Sequence, residues 1–548
     1  MNFAKRITSI ALASVTAISL CGTQMFFEEQ HLIGEAYTFD AFTYDGYLNY
    51  WKIDEDDDGI YDYIEITGCD DSATEVEIPS EIDGVSVTSI SDFAFNNHYN
   101  LNTVTIPDSV VSVGFDAFYK CTNLKKVILS NSITEIDGRT FAYCTNLESI
   151  VIPDGVASIG SEAFYECTNL KEIIIPDTVE NFNAYAFLGT QWLEDKRAEN
   201  PLIIINDILV DGAVCSGDVV IPDNVVGIGS GAFYENTEIT SLIIPDSVEY
   251  IGALAFCLCT GISTIVIPDS ITTIGDAAFE SFQSLESIII PDGVISIGDY
   301  AFYDCPNLSD ITIPDSVTSI GSMAFCECES LENITIPDSV TSLDSSVFSG
   351  CSALSNVRLS NNITEIPSMA FNACTSLESI TIPDSVTRII SLAFANTSLK
   401  NVIVPDSVID IDYYAFEECE NLESITIMNP ECHIGYSSET ISNGTDEEYN
   451  VYFNGIIYGY ENSTAQEYAE YCDYTFESLG EAPEKRPTGD ANNDNKLTVS
   501  DAAFIARTLA KRETIDAETN PFADYNNDGK VTVADAAAIA RFLAKAKI

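Results

Sequence analysis

Apolar and polar positions alternate along most of this chain in a unit of 23 residues. Between Asn307 and Glu329, the alternation in LSDITI predicts a short strand, Pro314 with the polar residues after it predicts a turn, and Gly321 interrupts the next extended stretch. A unit this short cannot bury its apolar side chains alone, whereas stacked copies can bury them together. The pattern therefore predicts a β-rich solenoid.

Phenylalanine marks each repeat. It recurs every 23 residues from Phe95 to Phe187 and again from Phe233 to Phe394, and Phe416 follows 22 residues later. The interval of 46 residues between Phe187 and Phe233 equals two periods, so it predicts one degenerate turn. We therefore expect about fifteen turns between residues 76 and 427.

The degenerate turn falls in a segment of different character, residues 189–220. Apolar runs on both sides of Asn206 and Asp207 predict a hairpin. Trp192, Lys196 and Arg197 concentrate an aromatic ring and two bases in an acidic chain. Two interpretations fit this segment equally. A protruding hairpin either carries binding specificity or bends the solenoid.

The surface of the predicted sheet carries a stripe of β-branched residues, because the residue between the two strand isoleucines of each repeat should face outward. The stripe either suits a parallel sheet or binds a ligand. Tyrosines also recur directly after the Phe, where they are either partly buried beside the Phe row or available for stacking. The stripe consists of Thr105, Val151, Ile174, Val220, Ile243, Val266, Ile289, Thr312, Thr335, Arg358, Thr381 and Ile403, and the tyrosines are Tyr119, Tyr165, Tyr234 and Tyr303.

The sixteen cysteines follow the repeat rather than the pattern of a disulfide-rich protein. Cys121, Cys144 and Cys167 lie 23 residues apart, as do the members of a second series that begins at Cys305. A residue that recurs in step with a repeat is explained most simply as a small apolar core residue in each turn. We therefore expect mostly reduced thiols and an anaerobic source.

The repeat unit resembles the 23-residue leucine-rich repeats of bacterial surface antigens, in which Leu-x-x-Ile-x-Ile-Pro and Ala-Phe-x-x-Cys recur. The resemblance covers about two thirds of the chain. It implies a leucine-rich-repeat solenoid that serves exported binding or adhesion, with ligands that vary among relatives.

Charge and the chain start indicate where the protein works. The formal net charge is -63, from 86 acids and 23 bases, which argues against nucleic acid as a partner because phosphate binding needs clustered Lys and Arg. Lys5 and Arg6 precede an apolar run followed by small residues, so residues 1–25 are predicted to be a secretory signal. No other stretch predicts a transmembrane anchor.

An acidic segment before the repeats matches the spacing of a calcium loop. Asp54, Asp56 and Asp58 alternate, Gly59 follows, and Glu65 stands at the twelfth place. Strand-like sequences flank this segment, where a calcium-binding EF-hand would have helices. An acidic hairpin turn is therefore the alternative to a calcium site.

The remaining pattern divides the chain. Residues 26–75 are predicted to form an N-terminal cap that contains the acidic hairpin, and residues 76–427 form the solenoid. Residues 428–480 depart from the period and are predicted to cap its other end. Residues 481–488, which are charged and contain two prolines, read as a linker to a last module, residues 489–548.

That last module contains two copies of one segment, 34 residues apart. Each copy begins with oxygen-bearing side chains at alternating positions, which is the ligand arrangement of a calcium loop, with a backbone carbonyl at position seven. Each loop is followed by a helical pattern. The predicted calcium ligands are Asp490, Asn492, Asp494, Lys496 (carbonyl), Thr498 and Asp501 in the first copy, and Asp524, Asn526, Asp528, Lys530 (carbonyl), Thr532 and Asp535 in the second.

Residues 489–548 resemble a type I-like dockerin, a small all-α module of paired half EF-hands that attaches exported proteins to cohesins of a cellulosomal scaffold. The resemblance implies two bound calcium ions and a cohesin partner. Asn495 departs from the glycine expected in the first loop. The resemblance places the cohesin-facing residues at Val499, Ser500, Ala506, Arg507 and Lys511, and at Val533, Ala534, Ala540, Arg541 and Lys545.

Catalysis finds little support in the sequence. His31, His98 and His433 are the only histidines, and no Ser or Cys nucleophile has a base at a recognisable spacing. We therefore expect a secreted, cellulosome-associated binding protein whose solenoid takes a protein or glycan ligand. The alternative is a cell-surface adhesin for host or neighbouring-cell ligands.

Overall fold

The computed structural model shows a β-solenoid of about 18 turns followed by helices. Each turn has three sides: a longer strand such as Asp310–Thr312, a short strand such as Ser319–Ile320, and a turn side that carries Ala324 and Phe325. Backbone and side chains are described for residues 42–55, 59–446, 448–482, 491–492, 497–509, 515, 523–525 and 530–543, and the backbone alone for residues 510, 544 and 545.

The longer strands build the first side of the solenoid by parallel pairing. Their partners lie one repeat apart, as in the pairing of Ile265 with Ile288 and of Ile288 with Ile311. These strands are Glu75–Glu77, Thr103–Thr105, Lys126–Ile128, Ser149–Val151, Glu172–Ile174, Gly217–Val220, Ile239–Ile243, Thr264–Val266, Ser287–Ile289, Asp310–Thr312, Asn333–Thr335, Asn356–Arg358, Asn401–Val404, Ser424–Ile427, Ile456–Gly459 and Thr475–Ser478.

The short strands build the second side in the same way. Their parallel pairing runs without interruption through seven strands from Ile208 to Leu343. These strands are Val85–Ile90, Ser112–Val113, Glu135–Ile136, Ser158–Ile159, Asn181–Phe182, Gly227–Ile228, Tyr250–Ile251, Thr273–Ile274, Ser296–Ile297, Ser319–Ile320, Ser342–Leu343, Glu365–Ile366, Arg388–Ile389, Asp410–Ile411 and His433–Ile434, with Ile208–Asp211 in the degenerate turn.

The turns outnumber the fifteen expected from the sequence because the ladders continue past the Phe repeats. Tyr63–Cys69 pairs in parallel with Val85–Ile90, and at the other end Thr475–Ser478 pairs in parallel with Ile456–Gly459. These outer turns lack the 23-residue Phe spacing, so the sequence period could not count them. The strands outside the two ladders are Phe42–Tyr44, Leu48–Ile53, Glu81–Ile82, Ile203–Ile205, Gly444–Thr445 and Val451–Tyr452.

The Phe side chains stack along the core. Five rings form one stack from Phe95 to Phe187, and nine form a second from Phe233 to Phe416. Ring centroids within the stacks lie between 4.9 Å and 5.9 Å apart, and the ring planes are nearly parallel. The recurring Phe therefore aligns each turn with the next.

The recurring cysteines are core residues, as predicted, and the described ones form no disulfide. Each thiol of the series also donates a hydrogen bond, at 3.0–3.2 Å, to the carbonyl oxygen of a Phe one turn earlier. A small donor thus satisfies a buried carbonyl group that would otherwise be costly to desolvate. The donors are Cys121, Cys144, Cys167, Cys259, Cys305, Cys328, Cys351, Cys374 and Cys419.

The turn side depends on left-handed backbone at two positions, two residues before and two residues after each Phe. Around Phe325 these residues are Met323, with a φ of 53°, and Glu327, with a φ of 60°. The resulting backbone directs the N–H groups of Met323, Phe325 and Glu327 to carbonyl oxygens of the next turn, at 2.7–2.9 Å. The third side is therefore hydrogen-bonded between turns as well.

The interruption contains a helix that the sequence pattern did not indicate, α1 (Gln191–Glu199), capped by Thr190 through a 3.1 Å hydrogen bond from the Leu193 N–H. The hairpin that follows was predicted. Ile203–Ile205 and Ile208–Asp211 are antiparallel, with Asn206 and Asp207 both at positive φ. Its second strand joins the short-strand ladder, so the hairpin belongs to the solenoid instead of protruding.

Gly212 takes the place of Phe in this degenerate turn. Its N–H donates to Ala232 O, just as the Phe233 N–H donates to Ala255 O, and Asn236 donates to the Gly212 carbonyl from the position that Cys holds elsewhere. A Cβ at Gly212 would lie 2.4 Å from the Phe233 ring. The Phe stack is therefore broken here, and the apolar core divides into two clusters between Ile208 and Leu209.

Three further helices lie in the described part of the chain after the repeats. Helix α2 (Thr464–Cys472) adds Ala465, Tyr468 and Ala469 to the larger core cluster and so covers the end of the solenoid. Helices α3 (Val499–Ala510) and α4 (Val533–Lys545) form the C-terminal pair. Within the described ranges, no helix has the length and apolar character needed to cross a bilayer.

Replacing Phe325 by Ala should lower the free energy of unfolding by about 3–5 kcal/mol, because the ring is fully buried between Phe302 and Phe348. Urea denaturation followed by circular dichroism measures the change. The matched control is Val266→Thr, an exposed position whose equivalent two turns later is Thr312, which should change the free energy by less than about 0.5 kcal/mol. Equal effects of the two substitutions would contradict the stacking argument.

Alkaline pH should destabilise the solenoid. Burial raises the pKa of Cys167 and that of Cys305 from 9.0 to about 12. Because a thiol ionises more readily in the unfolded chain, this stabilisation is complete below about pH 9 and is lost as the pH rises towards 12, by up to about 1.4 kcal/mol per pH unit for each thiol. Urea midpoints measured between pH 8 and pH 11 test this.

The double variant Cys167→Ser, Cys305→Ser keeps both hydrogen-bond donors but does not titrate in this range. Its urea midpoint should therefore fall less steeply with pH than that of the parent chain. Tyrosines also titrate at high pH in both proteins, so the difference between the two slopes is the informative quantity. Identical slopes would show that the buried thiols do not account for the effect.

Candidate functional site

The second C-terminal helix starts with a capping box. The Thr532 N–H donates to Asp535 Oδ2 at 2.8 Å, and the Ala534 N–H donates to Thr532 Oγ1 at 3.1 Å. Thr532 and Asp535 are the residues that the sequence places at positions nine and twelve of a calcium loop. The start of α4 therefore brings these two predicted ligands together.

The first helix repeats this arrangement. The Thr498 N–H donates to Asp501 Oδ2 at 2.7 Å, and the Ser500 N–H donates to Thr498 Oγ1 at 3.1 Å. The other oxygen of Asp501 accepts the Asn492 N–H at 3.3 Å, which connects positions three and twelve of this loop. The two copies thus share local geometry as well as sequence.

The chemistry of these groups fits calcium. The carboxylates of Asp501 and Asp535 are fully buried, and that of Asp524 is almost fully buried. Asn492 Oδ1 is buried and accepts no hydrogen bond from the described residues. Buried carboxylate and amide oxygens are costly without a partner, and they are the ligands that calcium prefers.

Part of the predicted ligand set stays a prediction. Asp490, Asp494, Lys496, Asn526 and Asp528 lie outside the described residues. Lys530 is described and stands at position seven of the second loop, but its role as a carbonyl ligand stays a prediction.

Helices α3 and α4 pack against each other through a small core in which Ile505 and Ile539 are fully buried. Eight of the ten predicted cohesin-facing residues lie on the exposed side of these helices. The side chains of the other two, Lys511 and Lys545, are not among those that the structure describes. The residues found exposed are Val499, Ser500, Ala506, Arg507, Val533, Ala534, Ala540 and Arg541.

Two exposed aromatic side chains on this surface were missed by the sequence reasoning. Phe504 on α3 is 38% exposed and Phe542 on α4 is 49% exposed. The two rings do not occupy equivalent positions in the two copies. In the alignment of the copies, Phe504 corresponds to Ala538, and Phe542 corresponds to Thr508. Comparison of the copies position by position would have shown this difference.

The β-branched stripe faces outward on the solenoid, as predicted. Val220 pairs with Ile243, and Val266 pairs with Ile289, in the register of the parallel ladder. Val266 and Ile289 are 77% and 75% exposed. Arg358 interrupts the stripe and is held by Asp338 at 3.3 Å, so its charge is partly neutralised within the solenoid.

The acidic segment before the repeats forms a hairpin, as one of the two interpretations required. Trp51 pairs with Glu65 in antiparallel strands, and Asp54 Oδ2 accepts the Gly59 N–H at 2.9 Å within the turn. Burial and the nearby Asp92 raise the pKa of Glu65. Because Asp56 and Asp58 lie outside the described residues, a calcium ion at Asp54, Asp56, Asp58 and Glu65 stays a prediction.

Comparison with protein families agrees with this geometry. The family model described as a BspA type leucine rich repeat region matches residues 68–207, 213–328 and 295–423, in six copies. A model described as a dockerin type I domain matches residues 488–544. The molecule is a leucine-rich-repeat solenoid with a calcium-loop module. The chain belongs to the BspA-type leucine-rich repeat proteins and ends in a dockerin type I domain, which implies calcium and a cohesin partner.

Solved structures of bacterial repeat proteins are also similar. A leucine rich cell surface protein from Faecalibacterium prausnitzii is 26% identical, and the match covers 71% of this chain and 94% of that one at a TM-score of 0.29. Leucine-rich repeat proteins from Bacteroides ovatus and Eubacterium ventriosum are 24% and 19% identical, with 66% of this chain covered in each case, 94% and 96% of those chains, and TM-scores of 0.28 and 0.36. No curated protein matches the chain.

The double variant Asp501→Asn, Asp535→Asn should weaken calcium binding more than about tenfold, because loss of even an outer-shell partner of a metal costs about 10- to 100-fold in affinity. Asparagine still accepts the capping hydrogen bonds from Thr498 and Thr532, so the change isolates the charge. Calorimetric titration of the full chain with calcium measures the affinity. Asp344→Asn on the solenoid is the control and should leave it unchanged. Equal affinities of parent and double variant would remove these carboxylates from the site.

Proposed function

We propose that this protein is an exported, non-catalytic binding protein whose dockerin attaches it, in the presence of calcium, to a cohesin of a cellulosomal scaffold. The observation that carries the proposal is the duplicated pair of buried carboxylates, Asp501 and Asp535, each placed at a helix start beside an exposed helix surface. The dockerin type I match over residues 488–544 supports the same function.

In this proposal two calcium ions order the loops. The ion of each loop supplies the positive charge that its buried carboxylates require. Asp501 and Asp535 also fix the first turns of α3 and α4 through Thr498 and Thr532. Calcium binding therefore determines the orientation of the exposed surface that contains Val499 and Val533.

The solenoid presents the second interaction surface. The part of the exposed stripe around Val266 and Ile289 is apolar, and both residues sit on paired strands, with the strand of Ile289 hydrogen-bonded on both sides. A flat apolar surface on a protein with a net charge of -63 favours a large, uncharged or basic partner over nucleic acid. We assign this surface to a protein or glycan ligand.

A non-catalytic role is consistent with the contacts of the described histidines, His98 and His433, which both link neighbouring turns of the solenoid. His98 Nε2 lies 2.9 Å from the carbonyl oxygen of Cys69, at the position that Cys holds in other turns. His433 Nδ1 lies 2.7 Å from Asp410 within a row of exposed charges. Both contacts connect one turn to its neighbour, which is a structural use of the side chains.

The proposed location is outside the cell, in an anaerobic bacterium. The signal at residues 1–25 lies outside the described residues, so its support comes from the sequence pattern. Fifteen cysteines at described positions form no disulfide, as expected where oxygen is scarce. We also propose that a linker at 481–488 separates the cap of the solenoid from the dockerin.

Retention on an immobilised cohesin-bearing scaffold tests the proposal with the full chain. The parent chain should bind in calcium and elute with EDTA, whereas the Asp501→Asn, Asp535→Asn variant should pass through. Substitution of both stripe residues, Val266→Asp and Ile289→Asp, should leave retention unchanged, because these residues lie on the solenoid. Glu332→Gln serves as a control of similar exposure.

A second arm of the same experiment addresses the solenoid ligand. Material from native culture fluid that stays on the captured parent chain, but not on the stripe variant, contains the ligand of the repeats. Failure of the parent chain to bind any scaffold would contradict the dockerin function. In that case, binding of the chain to host or neighbouring cells would favour the adhesin interpretation.

A further inference from the structure

A cleft of about 490 Å³ opens where the two parts of the solenoid core meet. Its walls come from the last regular turn before the interruption, from helix α1, from the hairpin strand that ends at Asp211, and from the turn that carries Tyr234. Small-molecule sites commonly have volumes of about 300–1,000 Å³. The cleft is therefore large enough for a ligand of one or two rings.

The cleft follows from the defect in the repeat. Gly212 replaces the core Phe, and α1 takes up the chain length that the degenerate turn does not use. Val214 follows on the turn side, and it lines the cleft with 50% of its surface exposed. An uninterrupted stack of Phe turns would leave no such gap, so the site is specific to this position in the array.

One wall is aromatic. Tyr185 and Tyr234 come from turns on opposite sides of the interruption, and their rings meet edge to face with centroids 5.1 Å apart. Burial and the neighbouring Tyr234 raise the pKa of Tyr185. Tyr165 lines the cleft beside them. Tyrosines arranged in this way offer an apolar ring surface together with hydroxyl groups.

Another part of the lining carries a nearly buried ion pair. Arg197 on α1 donates from Nε and Nη2 to the two oxygens of Asp211, at 3.0 Å and 2.7 Å, and from Nη1 to Glu194 at 2.9 Å. Each side chain of the Arg197–Asp211 pair is only 13% exposed. A guanidinium group has five N–H donors, so two remain after these three hydrogen bonds.

The charge balance excludes an anionic ligand. Arg197 is neutralised by two acids, and Glu162 in the wall lies 3.7 Å from Arg139, which also contacts Asp116. Glu235 at the edge of the cleft is exposed, so it would hold a cation only through a weak, screened interaction. The cleft interior therefore favours a neutral ligand.

We propose that this cleft binds a neutral sugar unit, such as the end of a glycan chain. A pyranose ring presents an apolar face to Tyr185 and Tyr234, and its hydroxyl groups accept from the remaining Arg197 N–H groups and donate to Asp211. Hydrogen bonds to charged partners are stronger than neutral ones. The site lies apart from the outward stripe of the long strands and adds a small-ligand function to the macromolecular binding proposed above.

Saturation-transfer NMR on the full chain tests this site with named disaccharides. Xylobiose and cellobiose represent plant cell-wall glycans, and lactose represents a host glycan, so the pattern among them identifies the source. Spermidine and galacturonic acid serve as charged comparators. We expect transfer to at least one neutral disaccharide and none to the two charged compounds.

The informative variant is Val214→Trp, which fills the cleft mouth from an exposed position outside the core. It should reduce saturation transfer at least about fivefold, since a larger side chain would occupy the ligand volume. The matched control is Val226→Trp, which is 40% exposed and does not line the cleft. It should keep the signal of the parent chain. A melting temperature within a few degrees of the parent shows that each variant is folded.

Three results would overturn the assignment. They are no transfer to any of the three neutral disaccharides, equal transfer in Val214→Trp and Val226→Trp, and preference for spermidine or galacturonic acid. Cohesin retention of Val214→Trp is measured in parallel. Because the cleft and the dockerin use different residues, loss of sugar binding with normal retention separates this inference from the docking function.

Discussion

Hydrogen bonding between successive turns is the constraint on which this molecule depends. The turn that contains Ile288 is linked to the next one on all three sides: the long and short strands by parallel pairing, and the turn side by the N–H groups of Tyr300 and Phe302. This linkage fixes one rise per turn, close to the strand spacing of about 4.8 Å. Only side chains that pack well at that spacing can repeat, and planar Phe rings stacked 4.9–5.9 Å apart satisfy this requirement.

The same constraint explains why one lost ring has consequences over many residues. Gly212 keeps the backbone hydrogen bond of the missing Phe but leaves the stack without a ring, and Trp192 from α1 packs on Phe187 at 4.9 Å to close the first core cluster. Asn206 then fixes the hairpin to the preceding turn through hydrogen bonds to Pro176 O and Val179 O. The ladder is thus restored while the core stays divided. A regular array offers no concave site, so the defect is the natural place for one.

Features that are marked by a recurring residue type could be predicted from the sequence. Features that recur only in the backbone conformation, at positions whose residue type varies, could not. Spacing of Phe and Cys was sufficient for the solenoid and for the buried positions of these residues in its core, and the apolar runs around Asn206 were sufficient for the hairpin. The left-handed residues could not be predicted, because positions such as Met323 and Glu327 carry neither Gly nor Asn and are held by contacts between turns. Helix α1 was missed because its buried residues, Trp192 and Leu193, occupy one end only and give no helical period.

The solenoid and the dockerin differ in how they accommodate acidic side chains. On the solenoid, most acidic side chains lie at the surface, nearly buried Asp211 lies beside Arg197, and buried Glu280 accepts a hydrogen bond from the Cys257 thiol at 3.7 Å. In the dockerin, Asp501 and Asp535 are fully buried at helix starts, where the N-terminal dipole offsets only part of their charge. A small core around Ile505 and Ile539 cannot compensate for the rest. The solenoid is therefore expected to stay folded in the absence of calcium, while the attachment module depends on it, which makes scaffold docking the reversible step.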